Sequence, residues 1–104
     1  MLRFPFNVKR LDIKAAARRD LADIRDFSIE RFGGSVAAGY LAGFEVVFRR
    51  ILEFPEIGAV SAETKALTYL YAYRSHRIFY RVTKTDIIIV RILHKARDAS
   101  ALLN

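Results

Sequence analysis

The sequence predicts an α+β domain: an N-terminal strand, an α-helical hairpin, then a three-stranded antiparallel sheet with the helices packed on one face. Three features lead there. Two apolar stripes at helical spacing fill residues 15–54 and are parted only by Gly33, Gly34 and Ser35. The last third alternates apolar and polar residues in short runs between turn-forming residues. No linker, repeat or low-complexity stretch divides the chain, so 1–104 reads as a single domain.

Phe6–Asp12 is short and apolar at Phe6 and Val8, which suits a first strand. Ala15–Phe32 follows as a helix, with Ala17, Leu21, Ile24, Phe27 and Phe32 near one stripe. Asp12 is the nearest good N-cap, and Gly33-Gly34 ends the helix because glycine tolerates the left-handed conformation there. Ser35 can cap a second helix, Val36–Phe54, with apolar Val36, Tyr40, Leu41, Phe44, Val47, Phe48, Ile51 and Leu52. Gly39 and Gly43 leave one of its faces bare, as a close helix crossing requires. Pro55 and Gly58 end it. So short a connection makes the two helices an antiparallel hairpin.

Three strands complete the expectation: Ala66–Tyr73, His76–Thr83 and Ile87–His94, with Asp98–Leu103 as a last short helix or tail. A three-residue loop at 84–86 sets Ile78, Tyr80 and Val82 opposite Ile92, Val90 and Ile88. The second face then carries Arg77, Phe79 and Arg81 beside Leu93, Arg91 and Ile89. A two-residue loop would instead place Arg91 opposite Ile78, an unpaired charge among apolar side chains. The expected outcome is an arginine-studded outer face.

Composition narrows the function. The chain has 53% hydrophobic and 28% charged residues and no cysteine, which excludes disordered chains, disulfide scaffolds and thiol chemistry. No apolar run is long enough to span a bilayer, and a cytoplasmic protein is expected. The net charge is +7. Residues 66–104 hold 7 basic and 2 acidic side chains, so this part supplies most of the excess. An anionic partner follows: nucleic acid, membrane surface or acidic protein. Two histidines and scattered acids build no metal site, and no phosphate loop or nucleotide motif is present, so no cofactor is expected. Tyr69, Tyr71 and Tyr73 could stack bases, but period-two tyrosines are more often a packed strand face.

Ala17-Arg18-Arg19-Asp20-Leu21-Ala22-Asp23-Ile24 resembles the A-x-x-D-L-x-x-I opening of the first helix in the RelE/ParE toxin superfamily. Phe54-Pro55-Glu56-Ile57-Gly58 resembles its P-x-x-G. His76-Arg77-Ile78-Phe79-Tyr80-Arg81-Val82, then Ile89–Asp98, is similar to the ParE branch, with R-I-F-Y-R-V followed by I-L-x-x-R-D and a histidine. The likeness runs from about Val8 to Leu103. It departs at Lys14, where the family often has a capping serine, and in the tyrosine-rich stretch at 68–73. The resemblance implies a RelE/ParE-like fold and the toxin of a type II toxin–antitoxin (plasmid stabilisation) system. It further implies growth arrest by binding DNA gyrase, without chemistry by the toxin, and neutralisation by a ParD-like antitoxin in a hetero-oligomer. Neither a small-molecule substrate nor a membrane is implied.

The alternative on the same fold is a RelE-type ribosome-dependent mRNA endoribonuclease. It needs a base, an acid and cations for the phosphorane. His94 with Arg81 and Arg91 would be that set, with His76 and Tyr80 as further proton-transfer groups. The register turns His94, His76 and Tyr80 toward the helices, where a hydrogen-bonded structural role is the commoner one. The binding reading leaves Arg77, Arg81, Arg91, Lys95 and Arg97 as a basic face for the target. Leu41, Phe44, Phe48 and Leu52 exceed what one core stripe needs, which makes them the expected antitoxin contacts; closing the chain's own core is the other reading.

Overall fold

The computed structural model describes residues 9–104; Phe6–Val8 of the expected first strand lie outside the described residues. Within them, β1 (Arg10–Ile13) leads to α1 (Ala15–Phe32) and α2 (Gly34–Glu53), then to β2 (Ala59–Val60), β3 (Tyr69–Tyr73), β4 (His76–Val82), β5 (Asp86–His94) and α3 (Ser100–Leu103). The sheet has five strands in the order β1-β5-β4-β3-β2. The expected antiparallel trio β3-β4-β5 is its centre. β1 joins it parallel to β5, and the two-residue β2 extends β3. A two-residue strand carries no alternation, which is why β2 was not legible.

The helix boundaries follow the apolar stripes, but the caps differ from expectation. Lys14 occupies the N-cap of α1 without a side-chain bond, and Asp12 instead pairs with the Lys14 ammonium at 3.2 Å. α2 begins at Gly34, so Ser35 lies inside its first turn and caps nothing. Gly33 alone, at φ 88°, closes α1 and opens α2. Only glycine takes that conformation without strain, so one residue makes the hairpin.

The main core lies between helices and sheet. Ala17 and Ile24 of α1, Phe44, Val47, Phe48 and Ile51 of α2, and Ile78, Tyr80, Ile87, Ile89 and Ile92 of the sheet are buried together. Phe27 and Phe32 of the first stripe are 58% and 60% exposed, and buried Ser28 takes the inward place. Their spacing carries them off the core face at the far end of the helix.

The β4–β5 hairpin reconciles two demands that a regular ladder could not. Its turn is only Lys84-Thr85, with the Thr83 N–H donating to the Asp86 carbonyl at 2.9 Å. Val82 faces Ile87 and Tyr80 faces Ile89, while Phe79 faces Arg91 and Ile78 faces Ile92. Val90 is therefore an extra residue, a β-bulge. It shifts the register by one midway, so a two-residue turn coexists with the Ile78–Ile92 pairing. The expected pairings of Tyr80 with Val90, Val82 with Ile88 and Arg81 with Ile89 are corrected, Arg81 facing Ile88 instead; His76 opposite His94 and Ile78 opposite Ile92 hold.

The outer face is not arginine-studded. Phe79, Leu93 and Ala99 form a second small core there, packed by Leu70 and by Leu103 of α3. Asn104 fastens this end, its side chain accepting from Lys65 N–H and donating to the Glu63 carbonyl.

Gly43 serves β3 rather than a helix crossing. A Cβ there would overlap the Tyr73 phenol, whose hydroxyl donates to the Tyr40 carbonyl at 3.0 Å. Gly39 faces open space. Gly43→Ala is expected to destabilise by about 1–2 kcal/mol, the overpacking cost exceeding the gain in helix propensity. Gly39→Ala in the same helix should stabilise slightly. Urea unfolding of the two variants checks the sign of each.

Candidate functional site

The residues expected to face a target meet different fates. Arg91 turns to α1, where its guanidinium forks onto Asp20 at 2.8 and 2.9 Å. The same carboxylate accepts the Ile92 N–H at 2.9 Å. β1 ends at Ile13, opposite Ile89, so β5 runs on beside α1 without a strand partner on that side. Asp20 supplies the acceptor that the missing strand would have given. Its hydrogen bonds push the Arg91 pKa further up, outweighing partial burial. Arg77 is likewise held, bonded to Glu63 at 2.7 Å and to the Arg97 carbonyl at 2.6 Å, with its cation over the Phe79 ring. Their side chains are only 19% and 18% exposed, so Arg91 and Arg77 leave the expected basic face. Arg81 is half-buried and donates to Thr68 Oγ1 at 3.1 Å. Lys95 and Arg97, just beyond β5, are exposed.

The expected antitoxin contacts are also redistributed. Phe44 and Phe48 are 1% and 5% exposed and seal this chain's own core, which corrects the expectation that they await a partner. α2 lies between α1 and the sheet's tyrosines, so a wide stripe is needed to cover both. Leu41 and Leu52 are half-buried against that core. Leu41 lines a groove of about 470 Å³ with Leu11, Ile13 and Leu21.

The tyrosine and histidines sort as their sheet positions dictate. Tyr80 is fully buried; its hydroxyl donates to the Pro55 carbonyl at 2.8 Å and accepts the Gly58 N–H at 2.9 Å. Burial is the main reason its pKa is raised. A Cβ at Gly58 would stand 2.8 Å from both that hydroxyl and the Leu70 carbonyl, so the loop needs glycine there. Tyr80→Phe should cost about 2 kcal/mol, since it leaves a carbonyl and an N–H without their partner. Chemical denaturation against Tyr69→Phe, whose ring stacks on Tyr80 at 5.4 Å, is the comparison.

His76 and His94 face one another across β4 and β5, ring centroids 5.6 Å apart. His76 Nδ1 is 2.6 Å from Tyr40 Oη, and His94 Nδ1 accepts the Ala96 N–H at 3.1 Å. Burial first, and then His94, hold the His76 pKa below its ordinary value, while Asp20 opposes them. Burial similarly raises Tyr40. The unfolded chain therefore binds the His76 proton first. The associated stability is complete above about pH 6.5 and is lost as pH falls toward the folded-state value. A pH series of melting temperatures should show this slope, reduced in His76→Gln.

These rings form the floor of a groove of about 660 Å³ at the tip of the helical hairpin. Phe27, Phe32 and Val36 line its wall. Its sequence signal is the pair of phenylalanines at the ragged end of the α1 stripe, which helical spacing alone does not separate from the buried positions. Asp20 stands in the first family-like motif, but nothing local in the sequence signals its partner, Arg91.

The ribonuclease set is not assembled. Arg91 is occupied by Asp20, and Arg81 pairs with Ile88, six residues along β5 from His94, roughly 20 Å away at about 3.3 Å per residue. Among the described residues no group of three His, Cys, Asp or Glu is placed to hold a metal ion, and no helix is long and apolar enough to cross a membrane.

Comparison with known proteins agrees with this architecture. A family model described as the ParE toxin of the type II toxin-antitoxin system parDE matches residues 11–99. Toxin ParE1 of Caulobacter vibrioides is 32% identical over 96 residues, covering 92% of this chain and 99% of that protein. Toxin ParE1 of Mycobacterium tuberculosis is 32% identical over 87 residues, 83% of this chain and 89% of its own length. A solved structure titled as the chromosomal ParDE TA system from P. aeruginosa superposes with a TM-score of 0.71 at 16% identity, over 85% of this chain and 97% of that one. At that identity the likeness is one of fold.

Proposed function

This chain belongs to the ParE toxin family of type II toxin–antitoxin systems, and from that premise we propose that it arrests growth by binding DNA gyrase and is neutralised by a ParD-like antitoxin in a cytoplasmic hetero-oligomer. The observation that carries a binding role over RNA cleavage is the engagement of the arginines. Arg91 is forked onto Asp20 and Arg77 is held by Glu63, so neither is free to meet a phosphorane. The ring nitrogens of His94 lie far along the strand from Arg81, so the expected base and that cation are not brought together.

Lys95 and Arg97 are the exposed remainder of the expected basic face, with half-buried Arg81 farther along the sheet. They are the proposed target contacts. For the antitoxin, half-buried Leu41 and Leu52 remain the proposed contacts on the hairpin.

Purified protein is expected to slow supercoiling of relaxed plasmid by gyrase and to leave messenger RNA intact on translating ribosomes. Codon-phased cleavage of that RNA with supercoiling untouched would reverse the reading in favour of a RelE-type ribonuclease. The paired reversal Lys95→Glu/Arg97→Glu should weaken gyrase inhibition at least about tenfold with stability changed by under ~0.5 kcal/mol, since both positions are exposed. Undiminished inhibition by this variant would remove both residues from the contact.

A further inference from the structure

The groove at the hairpin tip has two halves of unlike chemistry. Its wall is apolar: Phe27, Phe32 and Val36 are 58%, 60% and 55% exposed. Three large apolar side chains gathered on one concave surface are more than scattered surface hydrophobicity. Its floor is polar and built from His76 and His94, with Arg74 at the β3–β4 turn as a rim cation.

Each imidazole keeps one ring nitrogen for a ligand. Accepting the Ala96 N–H at Nδ1 makes the neutral His94 ring the Nε2–H tautomer. His76 has its Nδ1 engaged by Tyr40 Oη. Each ring has only Nε2 left, and among the described residues neither Nε2 has a protein partner. The rings lie edge-on at 84° with centroids 5.6 Å apart, and both line the groove.

We propose that this groove receives an acidic segment of a partner protein, with an apolar side chain between Phe27, Phe32 and Val36 and an adjoining carboxylate on the free nitrogens of His76 and His94. Charge complementarity selects an acidic occupant. The chain carries +7, Arg74 stands at the rim, and Arg31 lies over the Phe27 ring at 5.6 Å. The groups around His76 are Asp20 and Asp23 from α1, Tyr40 from α2, Tyr73 from β3, Arg74 from the turn and His94 from β5. Asp20 is engaged by Arg91, which leaves Asp23 as the acid lining the groove, against the Arg74 cation and the two imidazoles.

The arrangement makes affinity depend on pH. A bound carboxylate opposes both the desolvation of His76 and its repulsion by His94, so binding raises the proton affinity of His76. Below the ordinary histidine range of about 6.5 the complex takes up protons and tightens. This behaviour is independent of whether gyrase is the toxin's target.

The test uses 4-phenylbutyrate as the smallest probe with both halves of the ligand, and 4-phenylbutyramide as its uncharged control. The chain has only two histidines, so their imidazole signals are resolved by NMR. Titration with the carboxylate at tens of millimolar should shift both rings and bind at least about threefold tighter at about pH 6 than at about pH 7.5. The amide should bind without that pH dependence. Val36→Glu should abolish binding of the carboxylate, and the double variant His76→Gln/His94→Gln should remove its pH dependence. Unshifted imidazole signals throughout the titration would overturn the proposal, as would a pH dependence that survives the double variant. Concentration-dependent broadening of the groove signals without probe would assign the surface to a second copy of this chain and would equally overturn it.

Discussion

Asp20→Ala is expected to lower the free energy of unfolding by about 3–4 kcal/mol, the largest effect of any single polar substitution in this chain. The carboxylate is 12% exposed and serves three donors: two guanidinium nitrogens of Arg91 and the Ile92 N–H. Removing it leaves a mostly buried cation without its counter-ion and a strand N–H without an acceptor. Breaking such a pair from one side typically costs 3–5 kcal/mol; residual solvent access to Arg91 argues for the lower part of that range. For a domain of this size the melting temperature should fall by roughly 12–20 °C. The double variant Asp20→Ala/Arg91→Met should recover part of the loss, since it removes the stranded charge as well. A loss under about 1 kcal/mol for Asp20→Ala would mean that the fork is solvated and that this end of β5 is held by packing.

Phe44→Ala is expected to cost about 3–5 kcal/mol, because a side chain 1% exposed leaves a cavity that α2 and the sheet cannot close. Phe44 meets Tyr40 and Tyr73 edge-on at 5.4 and 4.7 Å and lies 6.4 Å from Phe48, so its loss also unsettles that aromatic cluster. Small domains have only about 5–15 kcal/mol to lose. Chemical denaturation of the free toxin measures the effect. Leu41→Ala, at a half-buried position, should cost less while weakening antitoxin binding more at matched folded concentration. A Phe44→Ala protein that melts like the parent yet loses the antitoxin would return Phe44 to the interface.

The motifs that carried the resemblance prove to be mutual contacts. Asp20 of the first motif holds Arg91 of the last, and Pro55 and Gly58 of the second clasp Tyr80 of the third. They identify the fold because they build it, and for the same reason they are poor candidates for a target surface. Arg91 and Arg77 looked like free cations because charge is visible in a sequence while its partner, 71 or 14 residues away, is not.

What this sequence determined by itself was whatever depends on neighbours along the chain. Helical spacing set both helices, the glycines after Phe32 set the break between them, and alternation set β4 and β5 with His76 opposite His94. Tertiary structure decided what depends on remote atoms. The bulge at Val90 exists because a two-residue turn and the Ile78–Ile92 pairing must both be satisfied. Phe44 went inward and Phe27 outward because the sheet covers only part of the hairpin, and helical spacing cannot say where that cover ends. Burial and ion pairing are properties of the assembled layers, so the surface left for partners became definable only once those layers were in place.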